Sequence, residues 1–307
     1  MRAVAATLIW FSLAVPMPAR AQPDAQTRRP SLARGDLLLV RGTGVLPAWE
    51  TAIGLDAEVL RRPIVVFDRV LGGERFAVDT RLTTTVLYAL GVGARSQVTL
   101  AVPLVWQEGE GRRVLSRDGR DELPAGAAGD VRLDFLHALA PAPGPNGCVE
   151  CNVGVAFASG IVVPTGDESA FAGGPGFAAY LEGIGAGVLG PVIVQGTFGA
   201  RVMEEAQLSD VALGSELAFA LGASLPLLDA RLVLGAEAQA LVGLRSGSSS
   251  PIVWVVEARG VLGADRRAEI ALGAGTGISE ALRSPAFQAI LALRYVPGES
   301  RATQRAP

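Results

Sequence analysis

The chain has 307 residues, half of them apolar, with only 19% charged and a mean hydropathy of +0.36. A water-soluble protein of this size carries more charge. The net charge of -3 is built without a single lysine, and no basic run is interleaved with aromatics, which excludes a nucleic-acid surface.

Residues 1–21 read as a signal peptide. Met1-Arg2 supplies a short positive region, Ala3 to Val15 an apolar run too short to span a bilayer, and Ala19 and Ala21 the small residues of a cleavage site. Cleavage near Ala21 sends the chain out of the cytoplasm. Residues 22–46 are assigned to a periplasmic N-terminal segment. Its apolar "DLLLV", Asp36 to Val40, could enter an interior or pair at a sheet edge, so the segment either plugs or hangs free.

From about Trp49 onward the apolar residues recur with period two, the mark of half-buried strands. In "VTLAVPLVW", Val98, Leu100, Val102, Leu104 and Trp106 share one parity. Val131, Leu133 and Phe135 oppose Asp130, Arg132 and Asp134. "SELAFALGASL" sets Leu217, Phe219, Leu221 and Leu225 against Glu216, and "RLVLGAEAQAL" sets Leu232 and Leu234 against Glu237. The longest charge-free stretch, Gly183 to Ala200, is too rich in glycine for a helix and reads as two strands meeting at Gly190-Pro191. About twelve such segments run to Val296, with ten to fourteen compatible with the pattern. Short links near 91–95, 190–191, 227–230 and 264–267 alternate with long ones near 60–76, 107–128, 165–175, 203–211, 243–251 and 278–286.

Long links alternating with short ones, around strands of nine to eleven residues, are the pattern of a transmembrane barrel with outer loops and inner turns. A bilayer offers no hydrogen-bond partners, so a spanning sheet must close on itself. The expected fold is therefore all-β: a transmembrane antiparallel up-and-down β-barrel over residues 47–297, followed by a periplasmic tail, 298–307. A secreted β-sandwich also alternates, but its outer face carries more charge and its links need no length rhythm. The location that follows is the outer membrane of a Gram-negative bacterium, with membrane lipid, lipopolysaccharide and the barrel-assembly machinery as partners. The oligomeric state is left open.

Near the C-terminus, "SPAFQAILALRYVP" places Phe287, Leu291, Leu293 and Tyr295 toward lipid and Gln288 and Arg294 inward. The stretch resembles the C-terminal assembly signal of outer-membrane barrels, carried by Gln288, Leu293 and Tyr295. Leu293 stands where an aromatic is usual. From "PAWETAIGLDAEVLRRPIVV" through "IVVPTGDESAFAGGPGFAAYLE" to that stretch, residues 45–297 resemble the barrel part of OmpA-family proteins. In that family a periplasmic peptidoglycan-binding domain commonly follows the barrel; it has no counterpart in this sequence.

Catalytic and metal chemistry find few carriers, and neither enzyme activity nor a cofactor is expected. His137 is the only histidine and shares the lipid parity of Leu133 and Phe135. Without lysine or a second histidine, the Ser-His-Asp, Ser-Lys and Schiff-base sets each lack a member. Cys148 and Cys151, in "GPNGCVECN", have too few companions for zinc and read as a small structural disulfide in an oxidising compartment. Asp167 and Glu168 are too few carboxylates for a calcium cage, so "PTGDESAF" reads as a solvated outer loop.

The inward parity collects the charges: Asp79, Arg81, Arg132, Asp134, Glu182, Arg201, Glu216, Glu237, Glu257, Arg259, Glu269 and Arg294. Two readings follow. These charges line a small pore for passive diffusion of small solutes or ions, or they pair across the lumen and plug a structural barrel. Twelve strands enclose more space than the eight whose side chains just fill a barrel, which favours the pore.

Overall fold

The computed structural model describes residues 28–68, 73–111, 122–140, 152–208, 211–245, 248–263, 267–279 and 281–295. The expected signal peptide, both cysteines, most of loop 108–122 and the C-terminal tail lie outside the described residues.

The fold is a closed twelve-strand antiparallel barrel. Its spanning strands are β1 (Thr51–Asp68), β2 (Gly73–Gly91), β3 (Ser96–Glu108), β5 (Val131–Ala140), β6 (Val153–Val163), β7 (Ala178–Leu189), β8 (Val192–Met203), β11 (Glu216–Leu227), β12 (Leu232–Gly243), β13 (Ile252–Leu262), β14 (Ala268–Gly277) and β15 (Phe287–Tyr295). Three short strands, β4 (Gly126–Ala128), β9 (Ala206–Leu208) and β10 (Val211–Leu213), belong to loops. Each spanning strand pairs with its neighbours in the chain, and the first pairs with the last from Ile53↔Tyr295 to Arg61↔Phe287. No spanning edge is left open, as a bilayer requires.

Side-chain direction follows the sequence alternation. Along β3 and β15 buried and lipid-facing residues alternate, and Leu221 on β11 is 62% exposed on the outer face. Apolar side chains outward satisfy lipid without any partner. At one end of the wall Tyr88, Ile53 and Tyr295 lie side by side across β2, β1 and β15; at the other lie Trp106, Trp254 and Phe287. These are the two aromatic levels of a membrane barrel.

Links at the two ends differ. At the end holding the C-terminus of β15, the described turns are tight, and β7 and β8 meet over Gly190 at φ +61, a conformation that favours glycine. The link expected near 60–76 is instead mostly strand. β1 and β2 continue as a tall hairpin beyond their neighbours, with a bulge between Arg61 and Ile64 where Arg62 takes φ +53. Backbone groups that would need water in a coil pair with each other there, which is why the apolar "IVVF" can stand in this region. The link near 203–211 likewise holds the β9–β10 hairpin.

Candidate functional site in the barrel lumen

The described part of the N-terminal segment, residues 28–46, plugs the barrel and does not hang free. The chain enters beside Gly91, where the Trp49 N–H donates to the Gly91 carbonyl (2.8 Å), at the short-turn end. Upstream, Arg34 and Gly44 exchange backbone hydrogen bonds (3.0 and 3.2 Å), closing a small loop whose tip joins the Leu37 N–H to the Val40 carbonyl (2.9 Å). Gly42 is needed here, since a Cβ would sit 2.4 Å from the Arg34 carbonyl oxygen.

This loop touches all twelve spanning strands. Leu32 packs with Ala52, Leu87, Ala89 and Ala101 of β1, β2 and β3. Ala33 packs with Leu136, Ala156, Ala158 and Ile184 of β5, β6 and β7. Leu38 meets Val255, Ala271, Ile290 and Ala292 of β13, β14 and β15, and Leu37 and Val40 meet Ala220 of β11. Gln195 of β8 donates to the Gly35 carbonyl (2.9 Å), and β12 contributes Glu237. Each fully buried leucine contributes on the order of 2 kcal/mol. The segment thus becomes the core of the barrel.

Its backbone has no sheet to join, so polar side chains of the wall take the place of a ladder. Glu237 accepts from three successive amides, Leu38 (2.9 Å), Leu39 (2.7 Å) and Val40 (2.7 Å), a backbone nest around a carboxylate. Gln97 accepts from the Leu46 N–H (3.0 Å), and Arg294 and Arg132 donate to the carbonyls of Asp36 and Pro30. Within the segment, Asp36 accepts from the Ala33 (2.7 Å) and Gly42 (2.6 Å) amides. Burial pushes its carboxyl above the ordinary range, against the pull of Arg294 and the Gly42 N–H.

The charges on the inward parity fall into groups. Arg132 holds Asp134 (2.9 Å), which also faces Arg41 (3.5 Å) and the Tyr180 hydroxyl. Glu182 takes Arg29 (2.8 Å) and Arg41 (3.8 Å). Glu216 lies between Arg283 (2.6 Å) and Arg201 (3.7 Å), and Arg259 between Glu257 (3.3 Å) and Glu269 (4.0 Å). Gln288 is buried on the inner face and donates to the Trp254 carbonyl (3.2 Å), while Leu293 and Tyr295 face outward. Asp79 shares the parity of the buried Ala77 and Arg81 on β2, but it stands opposite the β1 bulge, where its carboxylate pairs with the half-exposed Arg61 (3.4 Å) and Arg62 (3.7 Å).

Sequence reasoning missed Arg28, Arg29 and Arg41 because they lie on the segment. It also missed Asp56, which receives both terminal nitrogens of Arg28 (2.6 Å for Nη2), although Asp56 and Glu58 share the inward parity of "GLDAEVL". That alternation was a usable signal.

The other end of the lumen is closed by loops. Pro164, Thr165, Asp167 and Ser169 are exposed, as expected of a solvated loop, while residues 170–174 turn inward over the mouth. Asp167 caps a one-turn helix, Glu168–Ala170, accepting from the Ser169 N–H (2.9 Å) and hydroxyl (2.6 Å). Phe171 is then buried among Ile64, Ala77, Val78, Ala206, Leu213 and Leu282. Arg81 donates to the Phe171 carbonyl (2.5 Å), and Asp130 accepts from Gly166 (2.8 Å) and Gly174 (2.7 Å).

His137 lies on the outer face against Phe157 (5.3 Å between centroids), with its Nδ1 2.9 Å from the Ser96 hydroxyl. No group of three metal-ligating side chains occurs among the described residues.

No protein-family model matches the chain, and no curated protein sequence does. Solved structures do, and they are outer-membrane barrels. An outer-membrane channel from Pseudomonas putida F1, described as COG4313, superposes with a TM-score of 0.60 at 14% identity, covering 87% of this chain and 100% of that one. The NanC porin gives a TM-score of 0.46 at 5% identity, over 79% of this chain and 98% of that one. The monoaromatic hydrocarbon channel CymD gives 0.43 at 12% identity, over 83% and 90%. The first of these likenesses carries the fold: this chain has the architecture of an outer-membrane barrel.

Proposed function

We propose that this barrel is an outer-membrane channel for small polar solutes or ions, held closed at rest by its N-terminal segment and its inward-folded outer loops. The observation that carries this reading is the polarity of the lumen. A barrel that served only as structure gains most from an apolar filling, because paired charges are costly to desolvate and well-packed apolar replacements are often at least as stable. Here the wall instead presents buried arginines, carboxylates and glutamines on nine of its twelve strands. Charged rings of this kind set ion preference in pores.

The short-turn end is then periplasmic and the capped end external, the orientation common to such barrels. Export by a signal peptide cut near Ala21, assembly guided by Gln288, Leu293 and Tyr295, and an outer leaflet of lipopolysaccharide around the wall belong to the same reading. The resemblance of residues 45–297 to OmpA-family barrels supports the location and names no solute. The role is passage, not catalysis.

A second reading has a specific observation behind it. The segment's contact with all twelve strands supports a permanently closed structural barrel. Planar-bilayer recording of the mature full chain separates the two. Discrete conductance steps are expected for the channel; an intact barrel that stays silent at every voltage would leave the structural role.

A further inference from the structure

We infer that the space between the N-terminal segment and the outer cap is an anion-binding site, which makes the channel prefer anions. This rests on the channel reading for its consequence, though not for the site itself. The cavity measures about 40 Å³, room for one small anionic group such as a halide ion or a single carboxylate. Its wall carries the side chains of Arg28 and Arg29 from the segment, Arg132 from β5 and Arg201 from β8. Among the described residues the one acidic side chain on that wall is Asp130, whose two oxygens accept from the amides of Gly166 and Gly174.

Among the described residues these arginines pair with Asp56, Glu182, Asp134 and Glu216. None of the four contributes to the cavity wall. Each guanidinium is thus anchored by a carboxylate outside the wall while it also borders the cavity. Four guanidiniums border the cavity with their carboxylate partners set behind them, so an anion entering it meets N–H donors before it meets a carboxylate. Guanidinium groups also suit small anions, being weakly hydrated planar donors with several N–H groups in a fixed fork. Two arginines come from the segment and two from the wall, so the site exists only while the segment is seated.

Among the described ion pairs, the carboxylates held by Arg29 and Arg201 each keep a second arginine. Glu182 retains Arg41 (3.8 Å) and Glu216 retains Arg283 (2.6 Å). The test uses the mature full chain and the double variant Arg29→Gln/Arg201→Gln, both checked for barrel formation by heat-dependent gel mobility. Zero-current potentials across a potassium chloride gradient are expected to show severalfold preference for chloride in the parent. Most of that preference should vanish in the double variant and persist in Arg245→Gln, which alters an exposed rim pair with Glu205. Crystals soaked in bromide should show anomalous density in the cavity of the parent only. Conduction without anion preference, or a preference untouched by the double variant, would overturn the selectivity while the channel reading stands. Silence in the bilayer would remove the channel reading, and the bromide density would then decide the site alone. Absence of bromide from the parent cavity overturns the site.

Discussion

The two ends of the lumen are closed by opposite chemistry. At the short-turn end the segment is latched by charged and amide side chains aimed at its backbone, Glu237 above all. At the mouth, Phe171 and its loop neighbours make an apolar cluster, with Arg81, Gln107 and Asp130 tying the loop backbone to the wall around it. The polar latch is directional and fails stepwise as partners are lost. The apolar cluster has no preferred geometry and loosens by degrees. A barrel whose wall is rigid can therefore carry one closure that switches and another that breathes.

Both closures presuppose the wall, so its failure is the largest effect available. Leu221→Arg puts a charge on the lipid face at a cost of about 2–4 kcal/mol near mid-membrane, and the heat-modifiable band should be lost. Glu237→Ala should leave that band in place; equal tolerance of both changes would overturn the assignment of inner and outer faces. Next in size is deletion of residues 28–46, which should turn a closed or flickering channel into one of steady, larger conductance. An unchanged conductance would mean that the cap alone seals the barrel.

Glu237→Ala strands three amides of the segment, each worth about 1–3 kcal/mol if left unsatisfied. More frequent openings and faster proteolysis after Arg34 or Arg41 are expected. Phe171→Ala should do least: faster cleavage within loop 164–177, with single-channel openings altered less than by Glu237→Ala. If Phe171→Ala proved the more disruptive of the two, the roles assigned to the ends would have to be reversed.

How far these features were legible in the sequence depended on periodicity. The wall was readable because lipid demands an apolar residue at every second position, as at Leu217, Phe219 and Leu221, whatever the neighbours are. Inward charges such as Arg132, Glu216 and Arg294 came with it, since parity fixes the face. The surroundings of Asp79 were not legible, because it faces the β1 bulge after Arg61 and a bulge has no fixed sequence mark. The segment was harder still. Leu32, Leu37, Leu38 and Leu46 follow no repeat, as each answers to a different part of the wall. Only the folded barrel gives their spacing a meaning. Phe171 was hidden for the same reason: one apolar residue in a polar loop is legible as a cap only once the mouth beneath it exists.

The seating of residues 28–46 also bears on the order of assembly. β1 must find β15 across nearly the whole chain, Ile53 against Tyr295, and such long-range closure is slow. The segment precedes β1, so it can gather the inner faces of early strands before the last strand arrives. It then acts as a mandrel on which the sheet is rolled, and threading it afterwards through a finished cylinder becomes unnecessary. Refolding of the chain lacking 28–46 should consequently be slower than that of the parent, even where the finished wall is the same.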